Sequence, residues 1–272
     1  MKTFKALGLV SLLATGCAFA ATAQEAQEAK TPARQSWTFA GPFGHYDQAQ
    51  LQRGFEVFRN VCANCHSANL LAFRNLSEEG GPAFSEAQVK ALAAEYTVKD
   101  GPGDDGAMFD RPGRPADHWV PTYANPEAAK ATLGAAPPDM SVLAKARGYE
   151  VGFPKFIFDL FTQYQEAGPD YIYSLIALGY SDKKDLNHND YFPIPGGHIA
   201  MPRPLSDKMV DYTDGTPPTV DNYARDVTAF LTWVAEPKLE DRKKTGLRAI
   251  IFLLIFSGLL YFTKKKIWAD AH

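Results

Sequence analysis

Apolar residues recur at helical spacing near the start of the central part of the chain. Asp47, with Gln50 three positions later, predicts a helix N-cap with a capping box. The apolar face of this helix comprises Leu51, Phe55, Phe58 and Val61. Gly54 lies inside the helix and costs about 1 kcal/mol relative to alanine, so it is expected to permit close packing by another helix.

A second amphipathic helix is predicted near the other end of the same region. Thr219 is its expected N-cap, the helix should run to about Ala235, and Pro237 follows its end. Its apolar face comprises Val220, Tyr223, Val227, Phe230, Leu231 and Val234. Two terminal helices of this kind can cross and form the centre of one domain. We therefore expect this helix to pack against the first one.

The chain between these helices is rich in proline and glycine. Short helices are predicted at residues 85–96, 141–147 and 170–178, and no internal repeat or convincing strand is evident. The fold class predicted is a mainly α domain with long irregular loops. An aromatic stretch could face lipid or another subunit, but we expect it to pack in the core; it comprises Phe153, Phe156, Ile157, Phe158, Leu160, Phe161 and Tyr164.

A continuous apolar segment follows the second helix. Residues 247–262 contain one charge, Arg248, and basic triplets flank them at 242–244 and 264–266. As a helix, residues 245–263 would be about 28 Å long, close to a hydrocarbon core of about 30 Å. A buried helix is the alternative, but the segment has no polar face. We expect a transmembrane anchor at 245–263.

The N-terminus has the pattern of a bacterial secretory signal peptide over residues 1–23. Lys2 and Lys5 precede an apolar core, and small residues follow up to Ala20 or Ala23. A lipoprotein signal ending at Cys17 is a weaker alternative. This topology places a domain at residues 24–241 in the periplasm and a tail at 264–272 in the cytoplasm, with the protein in the bacterial inner membrane.

Charge separates these regions further. The whole chain has a formal charge of −3, whereas residues 24–241 contain 19 basic and 30 acidic residues, a balance of −11. Such a domain should steer basic partners and repel nucleic acid. A purely solubilising acidic surface is the alternative.

The most informative motif is Cys62-Ala63-Asn64-Cys65-His66. In a C-x-x-C-H box both thiols can bind one haem covalently, and the histidine can ligate its iron. A thioredoxin-like pair would not need the histidine, and a zinc site would need further ligands. The motif predicts one covalently bound haem c in the domain at 24–241. Two terminal helices that cross, one of them ending at this motif, are typical of class I cytochromes c, so we expect a class I cytochrome c-like haem domain.

A second axial ligand is needed if the iron only carries electrons. Met201 is our candidate, because the prolines that follow it fix its loop and its thioether raises the reduction potential. Met140 is the main rival, although lone methionines often fill cores. His198 could also compete, but we interpret it as a loop histidine near the haem edge or the surface.

Several motifs together resemble the cytochrome c1 family, the haem subunits of quinol–cytochrome c reductase. They are RGFEVF at 53–58, VCANCHS at 61–67, PPDMS at 137–141, DYIYSL at 170–175, IAMP at 199–202, DGTP at 214–217 and WVAEP at 233–237. The resemblance covers nearly all of the chain after the predicted signal peptide. Residues 148–168 form a longer stretch than in compact members and resemble insertions in bacterial ones.

The resemblance implies a set of haem contacts. The cofactor-binding residues are Cys62, Cys65, His66, Met201, Arg147, Tyr171 and Pro138. In this reading His66 and Met201 ligate the metal, and Arg147 neutralises a haem propionate. Tyr171 forms a hydrogen bond near the propionates, and Pro138 packs on the haem.

The resemblance also implies a role in electron transport. A Rieske iron–sulfur protein would reduce the haem, which would then reduce a soluble or tethered cytochrome c. Cytochrome b and the Rieske protein would be partners in an obligate dimeric complex, and the chain would have no catalytic site of its own. The alternatives are an anchored monohaem cytochrome serving an oxidase or reaction centre, and a haem enzyme or gas sensor with an open iron position.

Overall fold

The computed structural model describes residues 29–180, 187–194 and 196–269. The expected signal peptide, with Cys17, and the last three residues of the expected cytoplasmic tail lie outside the described residues. Within them the chain is mainly helical, as predicted.

The described elements are eight α-helices and two short strands. The helices are α1 (Gln48–Asn60), α2 (Glu86–Ala94), α3 (Pro126–Leu133), α4 (Leu143–Ala146), α5 (Lys155–Thr162), α6 (Ala167–Tyr173), α7 (Val220–Ala235) and α8 (Leu239–Ile267). The strands are β1 (Thr97–Asp100) and β2 (Phe109–Pro112). Helix α6 continues into a π-helical turn at Ser174–Leu178.

Helices α1 and α7 pack directly on each other and form the centre of the domain. Both predicted N-caps are confirmed: Asp47 accepts a hydrogen bond from the Gln50 amide, and Thr219 accepts one from the Asn222 amide. The predicted close approach at Gly54 is confirmed too. A Cβ atom there would lie 2.1 Å from the backbone oxygen of Asp226.

The capping box expected at Asp47 does not form completely. The Gln50 side chain does not return to the cap; its Nε2 atom donates to Oδ1 of Asp226 at 3.1 Å. Arg53 donates to the same carboxylate at 2.8 Å and to Asp214 at 2.8 Å. Asp226 is 2 % exposed, and a buried charge without partners is costly. The Gln50 side chain therefore binds Asp226 and not the helix end.

Aromatic side chains fill the core around this helix pair. Phe55 contacts Trp119 and Phe230 edge to face, with ring centroids 5.9 and 5.7 Å apart. All three side chains are buried. Edge-to-face geometry is favourable for aromatic pairs, so this cluster fixes how α1, which carries the cysteine motif at its end, sits on α7.

The two strands and helix α3 were not predicted. Strands β1 and β2 form an antiparallel pair in which Thr97 lies opposite Pro112. Their residues are mostly exposed and lack apolar alternation, which is why the pattern gives no strand signal. Helix α3 does carry a start signal, since Asn125 caps it and Pro126 follows at its first position.

The prediction that the aromatic stretch packs in the core is wrong. Helix α5 has no buried residue, and Phe153, Phe158 and Phe161 are 78 %, 64 % and 79 % exposed. The reason lies in its polar side. Asp159 faces the domain and forms an ion pair with Arg34 at 2.5 Å, which turns the apolar residues outward.

Helix α8 begins before the expected membrane span and is attached to the domain by its first turns. Leu239 is buried, and Arg242 pairs with Glu236 at 2.5 Å. The Lys243 ammonium donates to the backbone oxygen of Phe39 at 2.5 Å. Beyond this point the apolar side chains are exposed, and the helix is long and apolar enough to cross a membrane.

Candidate haem-binding site

The C-x-x-C-H box begins where α1 ends. Helix α1 stops at Asn60, and a tight 3₁₀ turn at Cys62–Asn64 follows. The amides of Cys65 and His66 both donate to the Cys62 carbonyl, at 3.1 and 2.9 Å. This turn holds the two cysteines and the histidine close together. Both cysteines are free thiols, and burial raises the pKa of the Cys62 thiol to about 12.

His66 is held in one orientation by the chain on the other side of the site. It is 9 % exposed, and its Nδ1 atom lies 2.8 Å from the backbone oxygen of Pro138. A carbonyl oxygen only accepts, so Nδ1 carries the proton and Nε2 keeps its lone pair. Burial lowers the pKa of His66, and the hydrogen bond to Pro138 partly opposes this shift. The imidazole is therefore neutral and ready to ligate a metal.

Asp139 fastens the Pro138 segment to the residues after the box. Its carboxylate accepts from the Ser67 hydroxyl and from the Asn69 and Ser141 amides, each at 2.8 Å. Burial alone would raise the pKa of Asp139, but these hydrogen bonds lower it below its usual value. Asp139 thus positions the carbonyl that orients His66. The sequence analysis did not single it out, although its place between the prolines and Met140 was a signal.

Met140 lies in the hydrophobic core beside this segment. Its side chain is 8 % exposed, and its amide donates to the Ser67 carbonyl at 2.8 Å. Core packing accounts for this methionine.

Met201 is half-buried at the end of a loop held by main-chain contacts. The Tyr180 hydroxyl donates to the Met201 carbonyl at 2.8 Å, and the Ile199 amide donates to the Asn187 carbonyl at 2.8 Å. Gly197 has φ +63°, and a Cβ there would lie 2.8 Å from the Asn189 carbonyl. Only glycine fits this turn without strain, so the loop geometry before Met201 is defined.

Asn189 connects this loop to the π-helical turn. It is fully buried, its Nδ2 atom donates to the Leu175 carbonyl at 2.8 Å, and its amide donates to the Gly197 carbonyl at 2.8 Å. Sequence reasoning missed Asn189 and Tyr180, because neither lies in a motif. His198 is exposed and pairs with His188 through an isolated β-bridge.

Tyr171 and Arg147 lie close to each other. Tyr171 is buried, which raises its pKa, and the positive charge of Arg147 opposes that shift. Arg147 is exposed at the end of α4, and among the described residues no carboxylate forms an ion pair with it. Burial raises the pKa of Tyr180 to about 12, a side-chain hydrogen bond with Asn189 opposes the shift, and Tyr171 adds to it.

These residues fit a c-type haem. Among the described residues, His66 contacts Pro138, and a separate set of contacts joins Arg147 to Tyr171, Tyr171 to Tyr180, and Tyr180 to the Met201 carbonyl. The two cysteines of the box stand beside a neutral imidazole whose Nε2 atom can bind a metal. In the part of the chain that the structure describes, no group of three or more His, Cys, Asp or Glu residues could hold a metal ion directly.

Comparisons with known proteins agree with this chemistry. A sequence model of the Cytochrome C1 family matches residues 37–271. The chain is 51 % identical to Cytochrome b/c1 of Bradyrhizobium diazoefficiens over 97 % of its own length, and spans 40 % of the length of that relative. It is 45 % identical to Cytochrome c1 of Blastochloris viridis and 44 % identical to that of Rhodospirillum rubrum. The match to the Blastochloris viridis protein covers 94 % of this chain and 93 % of that relative. The match to the Rhodospirillum rubrum protein covers 87 % of each.

Plant relatives are similar along nearly the same length. Cytochrome c1-2, heme protein, mitochondrial, of Solanum tuberosum is 41 % identical over 88 % of the chain and 85 % of its own length. The family match, over residues 37–271, covers the C-x-x-C-H box, both core helices and the apolar C-terminal helix. The chain therefore belongs to the cytochrome c1 family of electron-transport proteins, and its cofactor is a c-type haem.

Proposed function

We propose that this chain is the membrane-anchored electron-transfer subunit of a quinol–cytochrome c reductase. It would take electrons from a Rieske iron–sulfur protein and pass them to a soluble or tethered cytochrome c, beside cytochrome b in a dimeric complex. Family membership supports this role, and so does the relative named Cytochrome b/c1. The chain contributes binding and positioning and has no catalytic site of its own.

The observation that carries the proposal is the hydrogen bond between His66 Nδ1 and the Pro138 carbonyl, directly after the cysteine turn. It sets the tautomer that an axial ligand needs. Bound haem supplies the one-electron couple of its iron. Cys62 and Cys65 would hold the group covalently, and a second axial ligand would leave no open position for a substrate.

We assign Met201 as that second ligand. Its loop is shaped by Gly197 and held by Tyr180, which fixes the backbone from which the thioether projects. Met140 is already accounted for by core packing. A neutral thioether favours ferrous iron and raises the potential, as an electron carrier late in a chain requires.

Arg147 and Tyr171 are assigned to the propionates, and Pro138 to contact with the haem face. Arg147 has no described carboxylate partner, so its charge is available for an anion, and Tyr171 lies beside it. Pro138 is placed by the bond from its carbonyl to His66. A propionate would therefore meet a cation and a hydroxyl together.

The proposed topology follows from α8 and from the expected signal peptide. The apolar part of α8 would cross the bacterial inner membrane at 245–263, with the haem domain in the periplasm and the tail in the cytoplasm. The domain carries most of the acidic residues, so its surface potential favours a basic cytochrome c as acceptor.

Two measurements test the assignment together. Purification of the detergent-solubilised complex should recover cytochrome b and a Rieske protein with this chain, and quinol should then reduce its haem. Met201→Leu should keep covalent haem but lose the sulfur–iron charge-transfer band and lower the potential strongly. Met140→Leu is the matched control and should keep a nearly native spectrum.

Other outcomes would contradict the proposal. An unchanged potential in Met201→Leu would remove that residue from the iron. Rapid carbon monoxide binding by the reduced, folded protein would indicate an open position and favour a gas sensor. If the chain were purified together with an oxidase instead of cytochrome b, an anchored cytochrome that serves an oxidase would be favoured.

A further inference from the structure

Helix α5 and the residue before its proline expose a continuous apolar surface. We call it the aromatic face, and it comprises Phe153, Phe156, Ile157, Phe158, Leu160 and Phe161. The least exposed of these side chains is Ile157, at 37 %, and the others range from 52 % to 79 %. Single exposed apolar residues are ordinary, but a contiguous cluster of this kind indicates an interaction site.

Several polar groups of the same segment contact the domain, whereas Lys155, at the start of α5, is exposed. Asp159 pairs with Arg34 at 2.5 Å, and the Arg34 guanidinium lies over the Tyr164 ring at 4.4 Å. The Tyr164 and Tyr149 hydroxyls donate to Asp170 at 2.6 and 3.1 Å.

Asp170 is fully buried and also accepts from the indole of Trp37 at 2.9 Å. Its carboxylate therefore attaches the residues on both sides of α5 to the core. Rotation of α5 to bury its phenylalanines would break the ion pair of Asp159. The outward direction of the aromatic face is thus fixed by the polar contacts of the segment.

The end of α5 lies beside the beginning of α8. Gln163 and Gln165, which follow α5, line one cleft together with Leu239, Arg242 and Lys243. The apolar stretch of α8 starts at Leu247. This residue is only four positions after Lys243, or about 6 Å along a helix. The aromatic face is therefore close to the level at which α8 would enter the hydrocarbon.

The chemistry of the face matches a lipid boundary better than a protein partner. It has phenylalanine, isoleucine and leucine but no tyrosine, tryptophan or arginine, the residues that usually anchor protein interfaces. Exposed basic residues lie on α5 and at the start of α8, namely Lys155, Arg242 and Lys244. Basic residues around an apolar helix face are typical of helices that lie in the interface of a bilayer.

We propose that the aromatic face inserts into the headgroup–acyl boundary of the bilayer that α8 crosses. This inference rests on the membrane anchor of the proposed function. Helix α5 then acts as a second, interfacial contact that fixes the tilt of the haem domain over the membrane. It gives a role to the stretch at 148–168 that distinguishes this chain from compact relatives.

Site-directed spin labelling of the haem-loaded full chain tests the proposal. A nitroxide is placed on Phe161→Cys, on Met108→Cys as an exposed control between the strands, and on Leu254→Cys within α8. Each protein is reconstituted in vesicles of phosphatidylethanolamine and phosphatidylglycerol. In the haem-loaded chain Cys62 and Cys65 are bonded to haem, and the third cysteine, Cys17, is removed with the expected signal peptide, so the unmodified chain should take up no label.

Power saturation with oxygen and with a water-soluble nickel chelate then reports the surroundings of each label. At Phe161 and Leu254 we expect oxygen to have the larger effect, and at Met108 the nickel chelate. A label at Phe161 that behaves like Met108, while Leu254 is in lipid, would overturn the interfacial contact and leave the anchor intact. A label at Leu254 that behaves like Met108 would instead overturn the anchor.

A partner protein on the aromatic face is a separate outcome. Phe161 would then be accessible to nickel in vesicles of the chain alone and become inaccessible to both reagents once cytochrome b and the Rieske protein are added. That result would overturn the lipid contact in favour of a subunit contact. Phe156→Ser with Phe161→Ser should leave the spectrum native, because both side chains are exposed, while mobility at a label on Phe153→Cys increases in vesicles.

Discussion

Replacement of Gly54 by alanine tests whether the helix crossing supports the haem site. The added Cβ would lie 2.1 Å from the Asp226 carbonyl oxygen and 2.7 Å from Cβ of Phe230. Ordinary contact distances are roughly 3.5 Å, so α1 and α7 would have to separate by about 1.4 Å. The nearest atom belongs to the backbone, and no side-chain rotation can relieve the contact.

The expected cost follows from two opposing effects. Overpacking of a well-packed core costs about 1–3 kcal/mol, and a rigid backbone contact favours the upper end of that range. Alanine in a helix gains about 1 kcal/mol over glycine. The net loss in the free energy of unfolding is then about 2 kcal/mol, or a fall in Tm of roughly 4–8 °C for a domain of this size.

Thermal unfolding of the haem-loaded chain in detergent measures this loss, by circular dichroism and by the haem absorption band. Gly152→Ala is the matched control, since nothing lies within 4 Å of its added Cβ, and its Tm should change by less than about 2 °C. A Tm of Gly54→Ala equal to or above that of the unmodified chain would show that the two helices are not in the contact described.

Three further predictions concern charge. Arg147→Gln should lower the haem potential with little change in Tm, because Arg147 is exposed; Arg147→Lys should retain most of the potential, and equal potentials in all three proteins would exclude a propionate contact. Burial would raise the pKa of Glu236, but Lys145 and Arg242 lower it below 4.5. The ion pairs of Glu236 therefore stabilise the folded chain by about 1 kcal/mol at neutral pH, and this stabilisation is lost as the pH falls through the lowered pKa. Glu236→Gln should therefore be less stable at pH 7 and match the unmodified chain in acid, and a gap that persists in acid would contradict this. Reduction of a basic cytochrome c should slow as salt shortens the Debye length from about 30 to about 10 Å, and rates independent of salt would exclude electrostatic steering.

Much of the central architecture follows from the sequence, because its determinants are local. Asp47 and Thr219 each supply an oxygen acceptor at a helix start, and the apolar repeat that follows needs a partner helix. Gly54 predicts the crossing point, because a helical residue without a side chain lets another helix approach closely. The cysteine box indicates haem by its spacing alone.

The orientation of the haem ligand is decided by tertiary structure. The carbonyl of Pro138 is 72 residues from His66, and Asp139 brings it there through contacts with Ser67 and Asn69. The position of Asp139 between the prolines and Met140 draws attention to it, but only the tertiary structure shows that it binds Ser67 and Asn69. The same holds for Asn189, which is recognisable only once Leu175 and Gly197 lie on either side of it.

The direction of α5 shows the limit of sequence reasoning most clearly. The phenylalanines of α5 give the helix a large apolar surface, and this property follows from the sequence alone. Composition does not say whether that surface turns inward or outward. Arg34 and Asp170 decide it, because they bind Asp159 and Tyr164 of the segment. Such directional polar contacts constrain rotation of a helix, whereas apolar contact is non-directional.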